Sequence, residues 1–294
     1  GVKSGEISDL DTFEKFYDAY KAQMNYMIEM MVNADNAIDY AHGERCPLPF
    51  QSSMVEDCIG RGKSMQEGGA IYNFTGPQGF GIANTADALT ALKTLVYDEK
   101  KYTLEEFADA LRNNYGEPFG ELQAEQLTTQ VAKALAEQGK EINEKTIAEI
   151  YGKIKENATS PEKKAFYDRL RSDIEELPKF GNDNLDVDLF ARDVAYTYTR
   201  PVEKYKNPRG GAYQAGLYPV SANVPLGAQT GATPDGRLAG TPVADGVSPA
   251  AGRDVNGPTA SCNSVARLDH AIASNGTLFN MKFHPSALKG RSGL

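Results

Sequence analysis

Residues 231–249 read GATPDGRLAGTPVADGVSP. Gly231, Gly236, Gly240 and Gly246 alternate here with Pro234, Pro242 and Pro249. No helical period runs through the stretch. Glycine admits positive φ and close backbone approach, and proline fixes bends. The stretch therefore reads as loop that turns sharply and packs tightly. Loops of this kind, at the ends of strands, often carry function on a rigid scaffold. The segment before it, GLYPVSANVPLG at 216–227, supplies short apolar runs, and helical periodicity stops after Tyr205. Strands are expected in this C-terminal third, which makes the chain α/β.

Working outward, the N-terminal half reads as helices. Phe13, Phe16, Tyr17, Tyr20, Met24, Met27, Ile28, Met31 and Val32 recur at helical spacing. Asp11 with Glu14 fits a capping box, and Gly43 a stop. A short helix follows in FQSSMVEDCIG, ended by Gly60 and Gly62. AIYNF at 70–74 has strand composition, GPQGFG at 76–81 reads as a loop, and Thr85 is the expected cap of a helix through Tyr97. Strand, glycine loop and helix invite a phosphate site, but neither dinucleotide nor P-loop spacing is present. Thr103 and Glu106 form a second capping box. Residues 121–177, rich in Glu, Lys, Ala and Gln, read as three helices broken at Gly139-Lys140 and Ser160-Pro161. They are expected to form a helical insertion that buries one stripe. A further helix over about Leu185–Tyr205 starts from GNDN.

Composition narrows the function classes. The chain has 294 residues and a formal net charge of -9, which argues against nucleic-acid binding through clustered basic side chains. No apolar run has the length of a membrane span and the start is not a signal peptide, so no membrane role and a cytoplasmic location are expected. Cys46, Cys58 and Cys262 are odd in number and far apart, which fits neither a disulfide framework nor a zinc site. His42, His270 and His284 have no ligand spacing, so no metal is expected. Asp269-His270 fits acid–base work less well than a satisfied structural histidine. Sequons at Asn73, Asn157 and Asn275 read as chance.

Four stretches carry a resemblance: ADNAIDYAHGERCPLPFQSSMVEDCIGRGKSMQEGGAIYNFTGPQGFGIAN, NPRGGAYQAGLYPVSANVPLG, TGATPDGRLAGTPVADGVSPAAGRDVNGPTASCNSVARLDH and SNGTLFNMKFHPSALKG. They resemble the glycyl radical enzymes, the superfamily of pyruvate formate-lyase. Within it, the pattern is nearest to the B12-independent glycerol and 1,2-propanediol dehydratases. The resemblance runs over nearly the whole chain outside about 121–176.

The resemblance implies a ten-stranded α/β barrel of two parallel half-barrels, with this chain supplying part of the second. It implies a glycyl radical installed by a radical-SAM (4Fe-4S) activating enzyme, a small-molecule substrate, and a homodimer. In such enzymes a thiyl radical takes hydrogen from C1 of a diol, a glutamate takes the hydroxyl proton, and the C2 hydroxyl leaves as water. The Gly-Cys-Val-Glu run and the Arg-Val-Ala-Gly-Tyr loop that would carry this chemistry are absent here. No catalytic residue is therefore assigned, Cys46, Cys58 and Cys262 are not thiyl candidates, and the chain is expected to be an internal piece, inactive alone. Tyr218, in GLYP, matches a tyrosine lining the substrate pocket, and Arg209 and Tyr213, in RGGAY, are weaker candidates near the same rim. The same scaffold also cleaves isethionate, choline and pyruvate, and dehydrates hydroxyproline. A non-catalytic helical interaction protein is the reading from a different class.

Overall fold

The computed structural model describes residues 1–283; His284 lies outside them. Helix α1, Phe13–Arg45, realises the N-terminal stripe. Its cap is Thr12 rather than Asp11: the Thr12 hydroxyl accepts from Lys15 N at 3.3 Å. Phe13, Phe16, Tyr17 and Tyr20 pack on the central core, while Ile28 and Val32 are buried further along. Short helices α2, Pro49–Met54, and α3, Cys58–Arg61, follow, and Gly62 ends the latter in the left-handed region.

Helix α4 spans Ile82–Leu92 and runs into a π-helical turn at Lys93–Asp98. Gly81 caps it, so Thr85 is not the cap: its hydroxyl donates back to Gly81 O, inside the helix. The Thr103–Glu106 capping box opens α5, Leu104–Arg112, as expected. Helices α6, Glu121–Glu137, α7, Glu144–Glu156, and α8, Pro161–Glu176, fill the stretch read as helical, with both expected breaks. They are not equivalent. Helix α7 buries none of its residues, whereas α8 sends Tyr167, Leu170 and Ile174 into a core shared with Leu92, Phe107 and Tyr115. Asn184 caps α9, Leu185–Val202.

The central core is built where α4 crosses α9. Ala83, Ala86 and Ala191 are fully buried, and such small side chains let two helices approach closely. Leu217, Ala244, Val247, Val265 and Ala273 close this core from the C-terminal third.

That third departs from expectation. Among the described residues there is no β-strand, in 70–74 or after Tyr205. Two further helices occur instead, α10, Asn223–Gln229, and α11, Pro258–Ala266. What exists of a sheet is a set of isolated bridges. Thr75 pairs with Tyr213, Gln78 with Gly216, and Leu217 with Thr277, all in parallel; Lys206 and Ala212 pair antiparallel. Three segments thus run side by side: 75–79, 212–217 and 275–278. The reason that they stop short of strands is local. Pro77 has no N–H to give, and Gly76, Gly79, Gly216 and Gly276 interrupt the runs. The Gly/Pro stretch packs against this ladder as anticipated. Gly246 sits at φ 55°, and a Cβ there would crowd Leu278 O and Leu217 O.

Candidate functional site

The ladder places the sequence-derived candidates, and it does not bring all three together. Tyr213 leaves the 212–217 segment toward α1. It is buried, and its hydroxyl donates to Asn36 Oδ1 at 2.8 Å. Burial, with Asp35 and Asp39 nearby, pushes its phenol up to about 12. Tyr213 is thus a neutral core residue shared by α1 and α9, in contact with Ile28, Val32 and Val202.

Arg209 is more open. Its Nε pairs with Asp39 Oδ2 at 2.9 Å, and its guanidinium donates to Phe74 O at 3.0 Å and Thr75 Oγ1 at 3.2 Å. The residue pins the 74–75 backbone to α1. It lines a cleft of about 490 Å³ with Asp35, Asp39, His42, Gly76 and Gln78. Burial, then the neighbouring Asp39, raises the Asp35 carboxyl above its usual range.

Tyr218 follows directly on the 212–217 segment, beside Asn275. Its side chain is half-buried, and its hydroxyl donates to Asn275 Oδ1 at 3.1 Å. A Cβ on Gly216 would lie 2.5 Å from the Tyr218 ring, so only glycine fits beneath it. Tyr198 buttresses the 75–79 segment: its hydroxyl donates to Pro77 O at 2.7 Å, and its ring lies against Gly79. Two residues past Tyr218, Val220 is held at φ 55°. A β-branched residue there is strained, and such strain persists only where the surroundings impose it.

The other named residues have structural places. His270 is tied on both ring nitrogens, to Thr277 Oγ1 at 3.0 Å and Val265 O at 2.8 Å, the satisfied histidine expected. Cys46, Cys58 and Cys262 are all free; Cys58 is buried in α3 and the other two are exposed. Among the described residues no group of three His, Cys, Asp or Glu side chains is placed to hold a metal, and no helix is long and apolar enough to cross a membrane.

Sequence reasoning missed a polar network that holds the Gly/Pro stretch. Asn84, on α4, donates to Asp235 Oδ2 at 2.7 Å and accepts from Ala244 N at 2.6 Å. Asn114 Oδ1 accepts from Ala239 N at 2.7 Å. Buried Arg237 donates to the carbonyls of Thr230, Gly231, Leu238 and Thr241. The Gly/Pro stretch is thus held by side chains reaching into its backbone. PDGR reads as a turn in sequence, and nothing local marks its arginine as internal.

Known proteins share this architecture. A solved structure concerned with 1,2-propanediol dehydration in Roseburia inulinivorans matches at TM-score 0.92 and 59% identity, over 99% of this chain and 35% of that one. The glycerol-bound B12-independent glycerol dehydratase from Clostridium butyricum matches at TM-score 0.79 and 48% identity, over 100% of this chain and 31% of that one. Trans-4-hydroxy-L-proline dehydratase of Clostridioides difficile is 31% identical over 294 residues. That alignment takes in 100% of this chain and 31% of the relative, so the chain spans about a third of the length of the proteins it matches. Residues 243–294 match the glycine radical family model. Residues 1–227 match the pyruvate formate lyase-like model, and with most of its length so matched, the chain belongs to the pyruvate formate lyase-like family.

Proposed function

We propose that the chain is part of a glycyl radical diol dehydratase acting on propane-1,2-diol, with glycerol as the near alternative. The observation that carries this is the 59% identity, across 99% of the chain, to the protein studied for 1,2-propanediol dehydration. Identity to the hydroxyproline dehydratase is only 31%. In the longer protein, the three parallel segments would join the wall of the ten-stranded barrel. Phe50, Met54, Ile59 and Tyr72, each at least 66% exposed, support that reading. Further chain packed over them would remove that apolar surface from water. A helical protein with no chemistry of its own has no need of the buried loop network that Arg237 and Asn84 hold.

The glycyl radical, placed by an activating enzyme, supplies one-electron chemistry when present. The residues of this chain bind and orient. None of the three cysteines sits in a Gly-Cys-Val-Glu run, so the thiyl is assigned to chain beyond this one. The Tyr218 phenol is half-buried with its ring over Gly216, an arrangement that suits holding a substrate hydroxyl while excluding water. Arg209 works one step back, by fixing Phe74 and Thr75 at the rim.

The test uses the full-length enzyme, activated anaerobically and offered propane-1,2-diol, glycerol and isethionate. Propanal from propane-1,2-diol should form fastest; sulfite from isethionate as the main product overturns the assignment. Tyr218→Phe removes one oxygen and little volume. A hydrogen bond left unmade costs about 1–3 kcal/mol, so kcat/KM should fall roughly five- to hundredfold with radical content unchanged. Unaltered kinetics with a lower melting temperature would make Tyr218 a core residue only.

A further inference from the structure

Tyr218 does not stand alone, and its partner was visible in the sequence only as a sequon. Asn275 Oδ1 accepts the Tyr218 hydroxyl at 3.1 Å. The asparagine is itself fixed by the ladder. Its backbone N donates to Ala215 O at 3.1 Å, Leu217 N donates to Gly276 O at 2.9 Å, and Leu278 N donates to Leu217 O at 3.1 Å. The backbone that presents Tyr218 and the backbone that presents Asn275 are therefore paired with each other.

Two glycines make room for the pair. A Cβ on Gly216 would meet the Tyr218 ring, and a Cβ on Gly76 would overlap the Asn275 side-chain amide. Gly76 belongs to the third parallel segment, so all three contribute. The side-chain amide is thereby wedged between Gly76 and the phenol, with little freedom to turn. A phenol has one proton to give. With that proton committed to Asn275, the oxygen presents only lone pairs to any other group that approaches it.

We propose that Asn275 is a positioning residue: it holds the Tyr218 phenol so that this oxygen meets a substrate hydroxyl as an acceptor. The proposal rests on Tyr218 touching substrate, and it adds both the residue that orients the phenol and the direction of the hydrogen bond. A substrate carrying a hydroxyl proton satisfies the site. A keto or ether oxygen at the same position offers no proton and leaves the phenol oxygen unpaired.

The experiment is a mutant cycle in activated full-length enzyme with propane-1,2-diol. Asn275→Ala should lower kcat/KM about tenfold, chiefly through KM, since the hydrogen bond is present before reaction. Asn275→Asp keeps the shape and the accepting oxygen and should stay within about threefold of wild type. The double variant Asn275→Ala with Tyr218→Phe should be no slower than Tyr218→Phe alone, because residues acting through one another are not additive. Losses that multiply overturn the proposal while leaving Tyr218 as a substrate contact. An aspartate variant as impaired as alanine overturns it too, and that arm remains informative if the alanine variant folds poorly. If Tyr218→Phe is itself silent, the underlying reading of Tyr218 fails and this one falls with it.

Discussion

Arg237→Leu in the full-length protein should lower stability by about 2–4 kcal/mol, the cost of taking the shared donor from several loop carbonyls at once. The side chain is 8% exposed. Its Nε donates to Thr233 Oγ1 at 3.1 Å, and its terminal nitrogens reach Thr241 O at 2.6 Å, Leu238 O at 3.2 Å, Thr230 O at 3.4 Å and Gly231 O. Leucine fills part of the volume and satisfies none of these acceptors. A carbonyl kept from water without a donor costs about 1–3 kcal/mol; Gly231 and Thr241 are exposed and recover part of that by turning to solvent. Lysine does not substitute well, because one ammonium cannot span carbonyls on both arms of the turn. Arg237→Lys should therefore fall between the two. The loss should be local as well as global. Thr233, Gly236 and Gly240 donate their amides within the same stretch, to Arg237 O, Thr233 O and Thr230 O. Their hydrogen-exchange protection should drop first. Loss of less than about 1 kcal/mol, with protection in 230–241 retained, would mean that the loop is held by its prolines and not by Arg237.

This loop also shows where sequence reading succeeds and where it ends. The glycines and prolines announce sharp turns and close approach, and Gly246 meets that description. They do not announce what fills the turns. Asn84 and Asn114 act across gaps in sequence that no local pattern spans, so their roles appear only once α4, the turn at Asn114 and the loop are packed. Arg237 acts within seven residues of itself, yet its side chain turns inward only once the loop has closed around it. The long helices were legible because an apolar stripe and a cap coincide: Thr103 with Glu106 at α5, Asn184 at α9, Ser160 with Pro161 at α8. The short helices α10 and α11 were not. Each is too brief for a periodic stripe, and Pro258, which begins α11, also fits a turn. The strand read at 70–74 failed for the opposite reason. Ile71, Tyr72 and Phe74 have strand composition, but composition measures fit to a half-buried surface. Here Tyr72 and Phe74 stack on each other at 5.8 Å, largely exposed. At the candidate site, resemblance pointed to Tyr218 but not to Asn275, which meets it through one hydrogen bond between residues 57 apart.

The second large effect is one of pH, and it comes from Asp87. This carboxyl on α4 is 2% exposed. One oxygen accepts from Phe180 N at 2.9 Å and the other has no hydrogen-bond partner among the described residues. Burial pushes its pKa up to about 7; the Phe180 N–H opposes this, Asp235 adds to it, and Lys179 and Arg253 oppose it. In the unfolded chain the group returns to its ordinary value near 3.8. Below that value both states hold the proton, and Asp87 has no effect on the pH dependence. As pH rises from about 4 to about 7, the unfolded state releases the proton while the folded state keeps it, so stability falls across that window and then levels. Each unit of pKa difference is worth about 1.36 kcal/mol, which sets a ceiling of roughly 4 kcal/mol on the loss. Asp87→Asn keeps an oxygen for Phe180 N and carries no charge at any pH. The variant should match wild type near pH 4 and exceed it by up to that ceiling at pH 8, with the gap opening between. Denaturant unfolding of both proteins at pH 4, 6 and 8 reads this directly. A stability difference that stays constant with pH, or a variant weaker than wild type at pH 8, would show that Asp87 is ionised in the folded state, with Lys179 and Arg253 outweighing its burial.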